Sequence, residues 1–143
     1  MGMYDVFETD SDMEGEGVWI DYGDFRIKIA SAGQGNKAYV RYAEKALKPV
    51  RKSMQAGALS NDRAQVIMAT IYAKTIVKGW ETKVDDEWVA GIEGRDGNLL
   101  TVNEENIKEA FTNLPNMFID IQEMASSMEN FRKAELEEEA GNS

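Results

Sequence analysis

Residues 31–39, SAGQGNKAY, stand between an alternating run, FRIKIA, and a stretch with helical periodicity. A strand, a Gly-x-Gly and a lysine at a helix start outline a phosphate-binding loop. The Walker pattern is G-x-x-x-x-G-K-S/T, and the hydroxyl after its lysine holds a magnesium ion. Here Asn36 separates Gly35 from Lys37, and Ala38 stands where the hydroxyl is needed. The G-x-G-x-x-G dinucleotide pattern also fails, because its third glycine position is Ala38 and no long strand–helix–strand unit follows. What is left is a turn made by Gly33 and Gly35, with Asn36 capping a helix.

Other chemistry is equally constrained. The chain contains no cysteine and no histidine. Disulfides, thiolate metal sites and Ser/His or Cys/His hydrolases are thereby excluded, and the commonest general base is missing. Asp96-Gly97-Asn98 hints at a calcium loop, but counting back from the sixth-position glycine puts Ile92 where the first oxygen ligand belongs. The carboxylate pairs Asp85-Asp86 and Glu104-Glu105 read as surface solubility features. The expectation is a protein that is not an enzyme and carries no cofactor and no metal.

The 143 residues suit one domain, and 43% hydrophobic residues suffice for a core. No apolar run approaches the length of a membrane span, and the N-terminus lacks the basic start and apolar centre of a signal peptide. Met-Gly opens the chain, but Val6 stands where myristoylation prefers Ser or Thr. The net charge is −10. Asp5, Glu8, Asp10, Asp12, Glu14 and Glu16 crowd residues 1–17 with no base among them, and Glu135, Glu137, Glu138 and Glu139 crowd 134–143. Between these ends the charges balance but separate: residues 26–52 are basic apart from Glu44, and 81–129 are mostly acidic.

The elements follow from pattern. Residues 1–17 are expected as an acidic flexible N-terminus and 134–143 as an acidic flexible C-terminus, flanking a single domain over 18–133. VWIDYGDFRIKIA reads as a hairpin turning at Gly23-Asp24. Residues 36–56 read as a helix broken at Pro49 and ended by Gly57. Ser60 caps a helix over about 61–78 that is apolar nearly all round, and Gly79 stops it. WETKVDDEWVAGIEGRDGNLLTV reads as irregular apart from a turn at Asp96-Gly97. Thr101 and Glu104 form a capping box for a helix over about 104–113, and Pro115 restarts the chain into another. Met117, Ile121, Met124, Met128 and Phe131 are then spaced 4, 3, 4 and 3 residues apart, a heptad seam. The fold class expected is mainly α: a compact domain of roughly four or five helices with a small N-terminal β-hairpin and acidic flexible ends.

The order of these features resembles the tail assembly chaperones of long-tailed bacteriophages with flexible tails. The resemblance rests on G-N-x-x-Y after the hairpin, the run from Ala73 to Gly79-Trp80, and the run from Thr101 through Asn103 and Phe111 to Leu114-Pro115. It spans about residues 17–133. The stretch 84–98 is longer and more acidic than that pattern. The resemblance implies a protein that holds the tape-measure protein, a long helical rod, soluble until tail-tube subunits polymerise around it. It also implies the tail-tube protein and a frameshifted long form of the chain as further partners, a place in the bacterial cytoplasm, and absence from the finished virion. The alternative is a structural minor tail or head–tail connector protein.

The residues agree with a non-catalytic binder. Met117, Ile121, Met124, Met128 and Phe131 offer an apolar anchor row for a partner helix, and Met is adaptable at such surfaces. Trp80 reads as a core aromatic or as a partner anchor. The basic row Lys37, Arg41 and Lys45 facing Asp85, Asp86, Glu87 and Glu93 of a neighbour would give head-to-tail self-association and a homo-oligomer. That row, continued by Lys48 and Lys52, could track phosphates, but the acidic tails repel a polyanion, so nucleic acid is not the partner expected.

Overall fold

Alternating residues fold as expected into strands β1 (Val18–Asp21) and β2 (Phe25–Ile29), antiparallel, with Ile20 opposite Ile27. The computed structural model describes residues 2–131. Asp21 closes the hairpin turn by accepting the Gly23 N–H at 2.7 Å. The first long helix, α3 (Lys37–Leu47), begins at Asn36, whose side-chain oxygen accepts the Tyr39 N–H. Pro49 breaks the run as its missing N–H requires: a 3-10 turn covers Lys48–Val50 and α4 (Arg51–Gln55) resumes beyond it. Ser60 caps α5 (Asn61–Thr75) through a bond from the Arg63 N–H at 3.2 Å.

The mainly helical expectation fails from residue 76 onward. α5 stops at Thr75, and Val77–Val84 is a strand, β3, followed by β4 (Glu87–Ala90). The sheet runs β1-β2-β3-β4, all antiparallel, and a second pair joins β5 (Ile92–Glu93) to β6 (Leu99–Leu100). The protein is a mixture of helix and sheet. Two physical reasons account for the difference. The β-branched run Thr75-Ile76-Val77 favours extended backbone, and β3 finds its partner in β2, far back in the chain, with Ile27 opposite Trp80. Gly79 is no helix stop. It is a strand glycine where the Trp19 ring crosses the sheet, and a Cβ there would meet the ring at 3.4 Å. Asp85 and Asp86 both take positive φ, 51° and 65°, and make the tight β3–β4 turn.

Helices α5, α6 (Glu104–Asn113) and α7 (Pro115–Ser126) cover one face of this sheet. Ile27, Ile29, Val77 and Trp80 meet Tyr72, Ile76, Phe111, Phe118 and Ile121 there. Phe111 stacks on Phe118 at 4.4 Å between centroids, and Tyr72 meets Phe118 edge-on. α5 is buried only over its second half: Val66 is 58% exposed. The opposite sheet face carries a ladder across the strands. The Arg26 guanidinium lies between the Trp19 and Trp88 rings, at 4.1 and 4.5 Å, and pairs with Glu81.

The acidic stretch before the hairpin holds two short helices, α1 (Met3–Phe7) and α2 (Ser11–Glu16). They are tied to the domain by the Asp10 N–H to the Phe131 carbonyl and the Ser31 N–H to the Glu14 carbonyl. The acidic end expected at 134–143 lies outside the described residues. The glycine turn that resembles a phosphate loop is filled by the chain itself. The Glu14 carboxylate packs on Gly35 so closely that a methyl group there would share its space, and only glycine leaves that room. Asn36, 2% exposed, donates from Nδ2 to the carbonyls of Ser31 and Thr75, both at 3.0 Å.

Burial, then the nearby charge of Asp10, raise the Glu14 pKa above its ordinary 4.5, while the Gly35 N–H works in the other direction. A raised folded-state pKa means that the folded protein holds this proton more tightly than the unfolded chain. The associated stability is present below the ordinary value and lost as pH rises through the folded one. Glu14→Gln is therefore expected to melt higher than wild type at pH 7, with the gap closing as pH falls toward 4.5. A melting temperature below wild type at pH 7 would contradict this account of Glu14.

Candidate partner-binding cleft

Trp80 anchors the β5–β6 hairpin. Its indole N–H donates to the Leu100 carbonyl at 2.9 Å, its own carbonyl accepts the Gly91 N–H, and the Thr82 hydroxyl donates to the Gly91 carbonyl. The hairpin tip is shaped by Asp96, which accepts from the Asn98 backbone and side-chain amides at 3.1 Å each. The facing wall is α6. Asn103, not Thr101, caps it, accepting the Asn106 N–H at 2.8 Å. The expected capping box does not form: the cap stands two residues further on, and the Asn106 side chain donates to the Thr101 carbonyl. Leu114 ends α6 with φ −127° and ψ 72°, out of the helical region that the following proline disfavours. That kink leaves its side chain 53% exposed.

Between these walls lies a cleft of about 510 Å³. Trp80, Ile92, Leu100, Ala110, Leu114 and Met117 make its apolar part. Glu93, Asp96 and Glu109 stand exposed along it with one cation, Arg95. Size and lining suit the insertion of apolar side chains or a compact ligand. Among the described residues no group of His, Cys, Asp and Glu is placed to hold a metal ion, and no helix is long and apolar enough to cross a membrane.

The predicted anchor row is divided by the fold. Met117 lines the cleft. Ile121 and Phe131 are in the core at 0% and 1% exposure, and Met124 is half-buried against it. α7 ends at Ser126 and a 3-10 turn follows, so the heptad row does not continue on one helix, and the Met128 side chain lies outside what the structure describes. The spacing reports packing within the chain. Trp80 is 2% exposed and contributes to the cleft from beneath rather than projecting toward a partner.

The charged residues expected in self-association are at the surface. Lys37, Arg41 and Lys45 are exposed on α3; Asp85 and Asp86 are in the β3–β4 turn; Glu87 begins β4; and Glu93, in β5, lines the cleft. The cleft residues Ile92, Leu100, Glu109 and Leu114 escaped the reading of the sequence. Leu114 had a legible signal in Leu-Pro, while the hairpin that brings Ile92 and Leu100 forward depends on Trp80.

Residues 34–142 match the family model described as YdaY prophage protein. No curated protein matches the chain, and no solved structure does.

Proposed function

We propose, from the premise that the chain belongs to the YdaY prophage protein family and is a prophage protein, that it is a tail assembly chaperone. It holds a helical segment of the tape-measure protein until tail-tube subunits polymerise. The observation that carries this reading is the cleft: an apolar floor beside an exposed Leu114, open at the protein surface. Helix recognition needs apolar side chains inserted from one face of the partner, and this cleft accepts them. The reading places the protein in the host cytoplasm and outside the finished particle.

Co-expression with the tape-measure protein of the same prophage tests it. The chaperone reading expects the long protein to become soluble and to co-purify. If it stays insoluble and this chain is found in purified particles, a structural minor tail or head–tail connector role replaces it.

Self-association is part of the same proposal. The exposed row Lys37, Arg41 and Lys45 meets Asp85, Asp86 and Glu87 of a neighbouring copy, a heterologous contact between opposite charges, while Glu93, which was expected in the same contact, lines the cleft instead. Sedimentation is expected to show oligomers at low salt that dissociate in 1 M salt, where screening acts over about 3 Å. Oligomers unchanged by salt would contradict this contact.

A further inference from the structure

The cleft has a sign as well as a shape. Glu93 and Asp96 reach it from the hairpin and Glu109 from α6, against Arg95 alone. Asp96 keeps its charge readily, because the Asn98 N–H and side-chain amide hold its pKa below the ordinary carboxylate value. Resting on the reading of the cleft as a partner-binding surface, we infer that its occupant is a cationic amphipathic helix. Such a helix presents apolar side chains at i, i+3 or i+4, with Lys or Arg beside them. A helix is about 10–12 Å across, so it lies along the cleft mouth and inserts one face. The apolar residues meet Leu100, Ala110, Leu114 and Met117, and the flanking cations meet the three carboxylates.

Three segments of this chain have the wrong chemistry for the place. Residues 134–143 carry Glu135, Glu137, Glu138 and Glu139 and no base, the same sign as the cleft. The exposed apolar residues of α1, Met3, Tyr4 and Phe7, are interleaved with Asp5 and followed by Glu8. The α3 row of a second copy has the right charge but no exposed large apolar side chain to cover the floor. A partner that satisfies both requirements combines the charge of α3 with the anchors that α3 lacks.

The test uses the full chain and three fluorescently labelled synthetic helical peptides with one apolar face in common, flanked by Lys, by Gln or by Glu. Anisotropy at low salt is expected to show the Lys peptide binding about tenfold more tightly than the Gln peptide and the Glu peptide weakest, with the differences shrinking at high salt. Glu93→Gln with Glu109→Gln should bring the Lys peptide toward the Gln value at unchanged melting temperature. Leu114→Ser should weaken every peptide that binds. Equal binding of all three peptides, still sensitive to Leu114→Ser, would overturn the charge inference and leave the cleft reading intact. No binding, or binding indifferent to Leu114→Ser, would overturn the cleft reading and this inference with it.

Discussion

Trp80→Ala is expected to lower stability by about 4 kcal/mol, the range for truncating a fully buried aromatic residue. Trp80, 2% exposed, is the largest side chain in the core, and it sits in the sheet opposite Ile27. Its removal opens a cavity between sheet and helices. It also removes one of the three bonds that hold the β5–β6 hairpin, that from the indole N–H to the Leu100 carbonyl. Trp80→Phe separates the two effects: most of the volume stays and the hydrogen bond goes, so a loss of about 1–2 kcal/mol is expected. Urea midpoints at equal m-values report both. A Trp80→Ala protein within about 1 kcal/mol of wild type would contradict the core position given to this residue.

Asn36→Ala is expected to cost about 3 kcal/mol, combining a lost helix cap of about 1 kcal/mol with two carbonyls left without their donor. The three bonds are to the Tyr39 N–H, the Ser31 carbonyl and the Thr75 carbonyl, and they tie the start of α3 to the end of α5 through a buried site. Asn36→Ser keeps a capping oxygen but cannot reach both carbonyls, so its stability should fall between Asn and Ala. Equal stability of the Ser variant and wild type would show that the carbonyl bonds contribute nothing. Together with Glu14 over Gly35, these contacts explain why a phosphate-loop-like string occurs without a phosphate loop. Its polar groups are committed to the protein's own backbone and carboxylate.

What was legible in the sequence was local. The Gly23 turn, the Asn36 and Ser60 caps, the Pro49 break and the Pro115 restart each depend on the chemistry of a few adjacent residues, and each is in the structure. The strands β3 and β4 were not, because β3 is specified by pairing with β2 across the whole α3–α5 segment. Gly79 looked like a helix end because a glycine needed for a crossing tryptophan is indistinguishable from a stop in one dimension. Asp85-Asp86 was concealed for another reason: two aspartates at positive φ are an uncommon way to build a tight turn. The candidate site divides along the same line. Met117 was visible from helical spacing and Leu114 from its proline. Ile92 and Leu100 reach the cleft on a hairpin held by distant contacts, the Trp80 indole and carbonyl and the Thr82 hydroxyl.

The most direct test of the cleft as the partner-binding surface is site-specific photo-crosslinking during co-expression with the tape-measure protein. A photoreactive amino acid replaces Leu114 in the cleft or, as a control, Val66, which is as exposed but lies on α5 away from it. The account predicts a crosslink to the tape-measure protein from position 114 and none from position 66. Crosslinking from position 66 alone, or from neither position while the two proteins still co-purify, would contradict it.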